Sequence, residues 1–367
     1  MPTSLSLILF AGLSLAAICE KIRLPRIIGM IVAGILLGPF VLDLLDPQIL
    51  GISAELRKMA LIIILIRAGL SLDLSDLKKV GRPAVLMSFV PASFEILGYV
   101  LCAPLLLDVS RIEAAVIGAV LGAVSPAVVV PRMLRLMEEK RGTEKRIPHL
   151  IMAGASCDDI FVIVLFTTFA DMAQGGNARL LDFASIPVSI LLGVVIGAAF
   201  LLIAIEGWLK NRVAVSGLLA VVGMTCVLEL KSPACVTRRL SEKFGKLWLA
   251  AEVILFVLVG ASVDIRYTLS AGIAAVAMIF IALAFRAAGV ALCLIGTPLN
   301  IRERLFCVIA YLPKATVQAA IGSVPLAMGL SCGSIVLSVA VLGILITAPL
   351  GALGIDLSYK KLLSKAG

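Results

Sequence analysis

Charge is scarce in this sequence: Asp, Glu, Lys and Arg make up 15% of its 367 residues, while 61% are hydrophobic. At 38.5 kDa and a mean hydropathy of +1.14, a water-soluble fold would have too little polar surface to cover itself. Histidine is almost missing, with His149 the single instance. The sequence holds no histidine-based acid–base pair, metal cluster or glycine-rich nucleotide loop, which argues against an enzyme and against a bound cofactor. Aromatic residues are few, at 5%, and the basic residues are dispersed, so nucleic acid is not an expected partner. The cysteines (Cys19, Cys102, Cys157, Cys226, Cys235, Cys293, Cys307 and Cys332) have neither metal-site spacing nor a pattern that suggests pairing. They read as small packing residues. No basic residue precedes the first apolar run, Ser4–Cys19, and the run lacks a small-x-small cleavage site. It reads as a spanning helix, not a signal peptide.

What is present is long apolar sequence. Runs of spanning length fall at about 3–19, 24–43, 54–72, 83–107, 111–137, 148–173, 185–207, 212–230, 246–264, 268–297, 301–328 and 331–353, which is 12 candidates in a polytopic membrane protein. The formal charge of +9 then reads first as basic cytoplasmic loops. Lys21, Arg23 and Arg26 follow the first run; Lys78, Lys79 and Arg82 follow the third; Arg135, Lys140, Arg141, Lys145 and Arg146 follow the fifth. Alternation of these loops puts the N-terminus outside, with Arg57 and Lys58 a minor exception. Lys360, Lys361 and Lys365 put the C-terminus inside. The two ends collide, because such an arrangement needs an odd number of crossings. A crossing is therefore expected to be missing between about 200 and 231, where Lys210 and Arg212 and then Lys231 both score as inside.

The chemistry centres on Gly154–Val164, where Asp158 and Asp159 stand side by side inside an apolar run. A carboxylate in hydrocarbon is costly and marks a functional site facing the bundle interior or a water-filled cavity. Adjacent helical residues point ~100° apart. One acid can therefore face an aqueous path and the other a basic partner. The run before this pair carries Ser125-Pro126-Ala127-Val128-Val129-Val130-Pro131. Prolines remove donors to the carbonyls four residues back, here Gly122 and Ala127, and such groups are tolerated in a bilayer only inside protein or beside a cavity. A second break is expected at Pro313, which frees the carbonyl of Ile309, with Lys314 beside it to neutralise the negative end of a half-helix. Breaks at matching places in two halves point to a transporter binding site. Glu95 and Arg286, both in mid-run, need partners and are expected to pair with each other or with the aspartates. Arg67 and Glu252 lie nearer run ends, and His149 reads as an interfacial residue.

At these residues the sequence resembles the sodium/proton antiporters of the monovalent cation:proton antiporter superfamily, within its two-aspartate group the NHA branch. The matching pieces are Leu24–Gly29 with Gly34–Pro39, Ile66–Leu70, Ser125–Pro131, Ala155–Ile160, Phe256–Gly260 and Pro313–Ala320. The resemblance implies an all-α polytopic fold with inverted repeats and two broken helices crossing near Ser125 and Lys314, with 13 spans expected where 12 are visible. It implies dimerisation-side helices in 1–82, core helices in 83–173, a linker and dimerisation-side helices in 174–264, and core helices in 265–367. Asp159 would bind the ion and exchange the proton, assisted by Asp158. Arg286 would stand where related antiporters carry a lysine, with Glu95 its salt-bridge partner. Hydroxyls of Ser125 or Ser156, freed carbonyls and water would complete the ligands. Pro126, Pro131 and Pro313 would mark the helix breaks. The activity implied is exchange of Na⁺ or Li⁺ for H⁺ in pH homeostasis, by a homodimer whose cores move like elevators in a bacterial inner membrane. A sodium-coupled organic-anion symporter and a passive cation channel are the competing readings.

Overall fold

Backbone groups in a bilayer find no water to bond, so a chain this apolar is driven to satisfy them within helices. The computed structural model describes residues 1–22, 24–70, 80–175, 221, 224–225, 227–228, 232–264 and 272–365, without the side chains of residues 65, 68, 69, 156, 160, 234 and 238. Every named element among them is helical: α1 Pro2–Lys21, α2 Arg26–Leu37, α3 Pro47–Gly51, α4 Ser53–Leu70, α5 Arg82–Met87, α6 Val90–Leu106, α7 Arg111–Leu121, α8 Pro126–Glu138, α9 Ile147–Ala173, α10 Ala234–Ala261, α11 Gly272–Cys293, α12 Ile301–Ala310, α13 Thr316–Ile321, α14 Val324–Ala327 and α15 Gly333–Leu362.

Among the described residues, 7 helical stretches are long and apolar enough to cross a membrane. The runs at 185–207 and 212–230, and the expected missing crossing near 200–231, lie outside the described residues except for 221, 224–225 and 227–228. The other differences from the 12 apolar runs have physical causes. The run at 24–43 is helical only over the 12 residues of α2, after which Gly38 turns the chain. The run at 54–72 becomes α4, which carries Glu55, Arg57, Lys58 and Arg67. The run at 301–328 is cut into α12, α13 and α14. Apolar length overcounts helical length wherever a break intervenes.

The helices form two sets, joined where α13 meets α4 and α10. In the first, α10 lies against α2, α4 and α1, and α1 pairs with α2. In the second, α6 packs on α11 and α7, α9 on α7, α8 and α5, and α15 on α12, α14 and α7. The α2–α10 crossing is nearly backbone to backbone: a Cβ on Gly34 would overlap the Val257 carbonyl, and one on Gly260 would overlap the Ile31 carbonyl. Neither obstacle is a side chain that can swing aside. Gly34→Ala or Gly260→Ala is expected to lower stability by about 1–3 kcal/mol or more. Gly245→Ala, at a position in α10 with open space around it, is expected to raise it by up to ~1 kcal/mol through helix propensity. Thermal melting of the purified variants checks both signs.

The second set is built from two similar halves. Its broken spans start alike: Ser110 and Glu113 form a capping box at α7, and Asn300 and Glu303 form one at α12. The same spacing separates Glu113 from Glu303 and Ser125 from Ala315, the residues that precede α8 and α13.

Candidate functional site

Two helix breaks meet at the centre of the second set. The first runs from Gly122 to Ser125 between α7 and α8, and Pro126 opens α8 at its first position. The second runs from Tyr311 to Ala315 between α12 and α13. They touch directly, the Ser125 amide donating to the Pro313 carbonyl at 2.8 Å. Proline accounts for both breaks, since neither Pro126 nor Pro313 can donate to the preceding turn.

Around this crossing sits a buried ionic network. The Arg286 guanidinium, from α11, donates through Nη1 to Glu95 Oε2 at 2.9 Å and through Nη2 to Asp158 Oδ2 at 2.8 Å. Its Nε donates to the Tyr311 carbonyl at 2.6 Å, and Nη1 also to the Gly122 carbonyl, so one side chain holds both breaks. It lies over the Tyr311 ring, 5.6 Å from the centroid. Lys314 Nζ reaches the same Glu95 oxygen at 2.7 Å. Asp158 Oδ2 also accepts from the Val124 amide at 2.9 Å. All four side chains are buried, none more than 1% exposed. Two cations face two carboxylates, and the sum is zero. Paired and hydrogen-bonded charge of this kind survives burial; a single unpaired charge does not.

Asp159 is the fifth charge. It is 6% exposed, its Oδ1 has no hydrogen-bond partner, and it forms no ion pair among the described residues. Other oxygens near the breaks are also buried without partners: Asp158 Oδ1, Ser125 Oγ and Thr316 Oγ1. Buried oxygens are normally satisfied. Carboxylate and hydroxyl oxygens suit a hard cation.

Over residues 5–214 and 194–357 the chain matches the profile of a family described as sodium/hydrogen exchanger, transmembrane. This protein belongs to the sodium/hydrogen exchanger family. Sodium/hydrogen exchanger 9B2 of Homo sapiens is 34% identical over 378 residues, covering 93% of this chain and 70% of that protein. The Xenopus tropicalis 9B2 protein is 32% identical over 390 residues, with 96% and 72% covered. Human exchanger 9B1 is 33% identical over 381 residues, with 93% and 73% covered. The fold matches the sodium proton antiporter MjNhaP1 of Methanocaldococcus jannaschii at a TM-score of 0.81, with 22% identity, over 98% of this chain and 97% of that one. The family model's matched relatives include vertebrate proteins, so membership sets no bacterial compartment.

In this family member the crossing gathers Asp158, Asp159, Ser125, Glu95, Arg286 and Lys314, while the side chain of Ser156 lies outside the described residues. One expectation needs correction. Pro131 marks no break: α8 runs through it, since one missing donor leaves the neighbouring helical bonds in place. Two of the carbonyls freed by proline have donors: Arg286 donates to that of Gly122 and the Leu312 amide to that of Ile309 at 3.3 Å. The Lys314 ammonium finds a carboxylate, Glu95, as its counter-charge. Sequence reading missed Gln318, whose Nε2 donates to the Ala123 carbonyl at 2.8 Å while its Oε1 accepts from the Ala315 amide at 2.8 Å. An uncharged polar residue between apolar neighbours in Thr316–Ala320 was the available signal. Arg57 was read as a loop charge near a run end; it is buried, with Nη1 donating to Ser262 Oγ at 2.7 Å.

Proposed function

We propose that this chain exchanges Na⁺ or Li⁺ for H⁺, with proton and cation competing for Asp159. One observation carries the reading: the buried network of Arg286, Lys314, Glu95 and Asp158 is already neutral, so Asp159 has no counter-charge among the described residues. A carboxylate taken out of water and left unpaired takes up a proton or a metal cation. The choice between them at each side of the membrane is the exchange. Oδ1 of both aspartates and the hydroxyl of Ser125 or Ser156 serve as ligands with water. Arg286 keeps its charge at all working pH values and acts by holding Asp158 and the two breaks in register.

The neighbouring antiporter fold and the sodium and hydrogen named for the relatives support this assignment. By the same likeness the halves are inverted repeats, the set containing α6–α9 and α11–α15 is the mobile core, and the set containing α1, α2, α4 and α10 forms a homodimer. Exposed apolar residues along α1, including Phe10, Leu13 and Ile18, fit a lipid or partner-facing surface. The basic loops face the cytoplasm. The two matched stretches of the family profile share residues 194–214, the region where a crossing is expected to be lacking.

The test is dissipation of a pH gradient in proteoliposomes on adding Na⁺, Li⁺ or K⁺, with Asp159→Asn as the control. Cation-specific dissipation that the variant lacks is the expected result. Cation flux at fixed pH without proton countermovement would replace exchange with a channel, and sodium-driven accumulation of an organic anion would replace it with symport.

A further inference from the structure

A second concentration of charge lies at one end of the core, away from the crossing. An open cleft is lined by Arg135, Glu139, Arg141, Tyr359, Lys360 and Lys365. These residues come from three places: the last turn of α8, the loop from α8 to α9, and the end of α15 with the segment after it. The last two are stitched together, since Arg141 and Lys365 form a β-bridge and the Gly142 amide donates to the Ser364 carbonyl at 2.9 Å.

The cations converge on one ring. The guanidinium carbons of Arg135 and Arg141 stand 5.8 and 5.5 Å from the centroid of Tyr359, and Lys360 Nζ stands 5.7 Å from it. A solvated basic face at a membrane surface calls for positive charge but not for convergence, which sets like charges against one another. The internal compensation is one carboxylate: Glu139 pairs with Arg135 at 2.8 Å and lies 3.9 Å from Arg141. Asp356 is engaged by Arg132, at 3.2 Å. Among the described residues, Glu139 is the one acid lining the cleft beside four cations, with Asp356 acting on Arg135 from outside the lining. Arg141 donates to the Leu363 carbonyl through Nη1 at 3.4 Å, which holds its fork at the cleft wall.

The chemistry that answers this arrangement is a phosphate group. It carries more than one negative charge, offers several acceptor oxygens, and matches guanidinium forks and ammonium points together. Exposed Leu353 and Leu357 on α15 and Leu134 on α8 lie within about a turn or two of the cleft residues, so an apolar surface adjoins the charged one. We propose that this cleft binds a phosphate monoester, presented by an anionic lipid headgroup or by a soluble phosphate compound, and that the bound anion ties the end of α15 to the α8–α9 loop.

The experiment measures thermal stabilisation of the purified full chain. Its probes are phosphatidylinositol 4-phosphate in neutral phosphatidylcholine, the phosphatidylcholine alone, inositol hexakisphosphate and inorganic phosphate. It compares the wild type with Lys360→Gln/Lys365→Gln and with Arg135→Gln/Arg141→Gln. The lysine pair keeps the protein testable if the arginine pair fails to fold, and melting in phosphatidylcholine alone reports that. A rise in melting temperature with the phosphoinositide, needing about tenfold or more probe in the lysine variant, supports the site with lipid as source. The same loss seen only with the soluble phosphates supports the site with a soluble source. No rise in the wild type, or a rise that the lysine variant keeps undiminished, overturns it.

Discussion

Asp159→Asn is expected to reduce cation-driven proton movement at least 100-fold while the melting temperature stays level or rises. The two effects part because Asp159 is the charge that the network leaves unmatched. Its carboxylate has no ion pair and its Oδ1 no hydrogen bond among the described residues. An amide of the same shape removes the cost of a buried unpaired charge and with it the group that proton and cation contend for. The adjacent acid is expected to behave in the opposite way. Asp158 is bound to Arg286 at 2.8 Å and to the Val124 amide at 2.9 Å. Asp158→Asn should lower stability, and it should lower exchange by disturbing the crossing. Proteoliposome exchange and thermal melting on both variants separate these roles. Equal losses of stability in the two would sink the distinction.

Arg286→Gln is the largest expected loss of stability. The side chain is fully buried and meets two carboxylates and two backbone carbonyls. Breaking a buried ion pair by deleting one partner costs about 3–5 kcal/mol, because the remaining charge is stranded. Here Asp158 is stranded outright, while Glu95 keeps Lys314. A fall in melting temperature on the order of 10 °C follows from that energy at a few degrees per kcal/mol. Arg286→Gln with Asp158→Asn should recover part of the loss, because the stranded carboxylate is then gone. The cycle measures the coupling, and a double variant no better than the sum of the single ones would dismiss a direct interaction between the two.

The acids, the prolines and the lone mid-run cation were legible because each breaks a rule that apolar sequence otherwise obeys. Charge in hydrocarbon and proline in a helix stand out without any knowledge of the fold. Where those groups find their partners was harder to read. Lys314 stands beside a helix end, but its carboxylate partner Glu95 is distant in the chain. Gln318 was passed over because a neutral amide carries no such penalty signal, and its value arises only when the first break lies beside it. Arg57 counts in the sequence only as a minor exception among the loop charges, because its burial depends on α10. Apolar length joins what charge and turns interrupt, at α4 and in the run cut into α12, α13 and α14. Pro131 shows the converse: a breaker residue within a helix that did not break.

The ion network has an implication for how the chain is made. Synthesis runs from the N-terminus, and the partners in this network lie far apart along it: 128 residues from Asp158 to Arg286, 191 from Glu95 to Arg286, and 219 from Glu95 to Lys314. The acids thus enter the membrane well before the cations that neutralise them have been translated. A nascent chain ending after α9 carries its carboxylates with no counter-charge, and its first break has neither Arg286 nor Gln318 to satisfy its carbonyls. The first half of the core therefore depends on the second for the counter-charges of its acids.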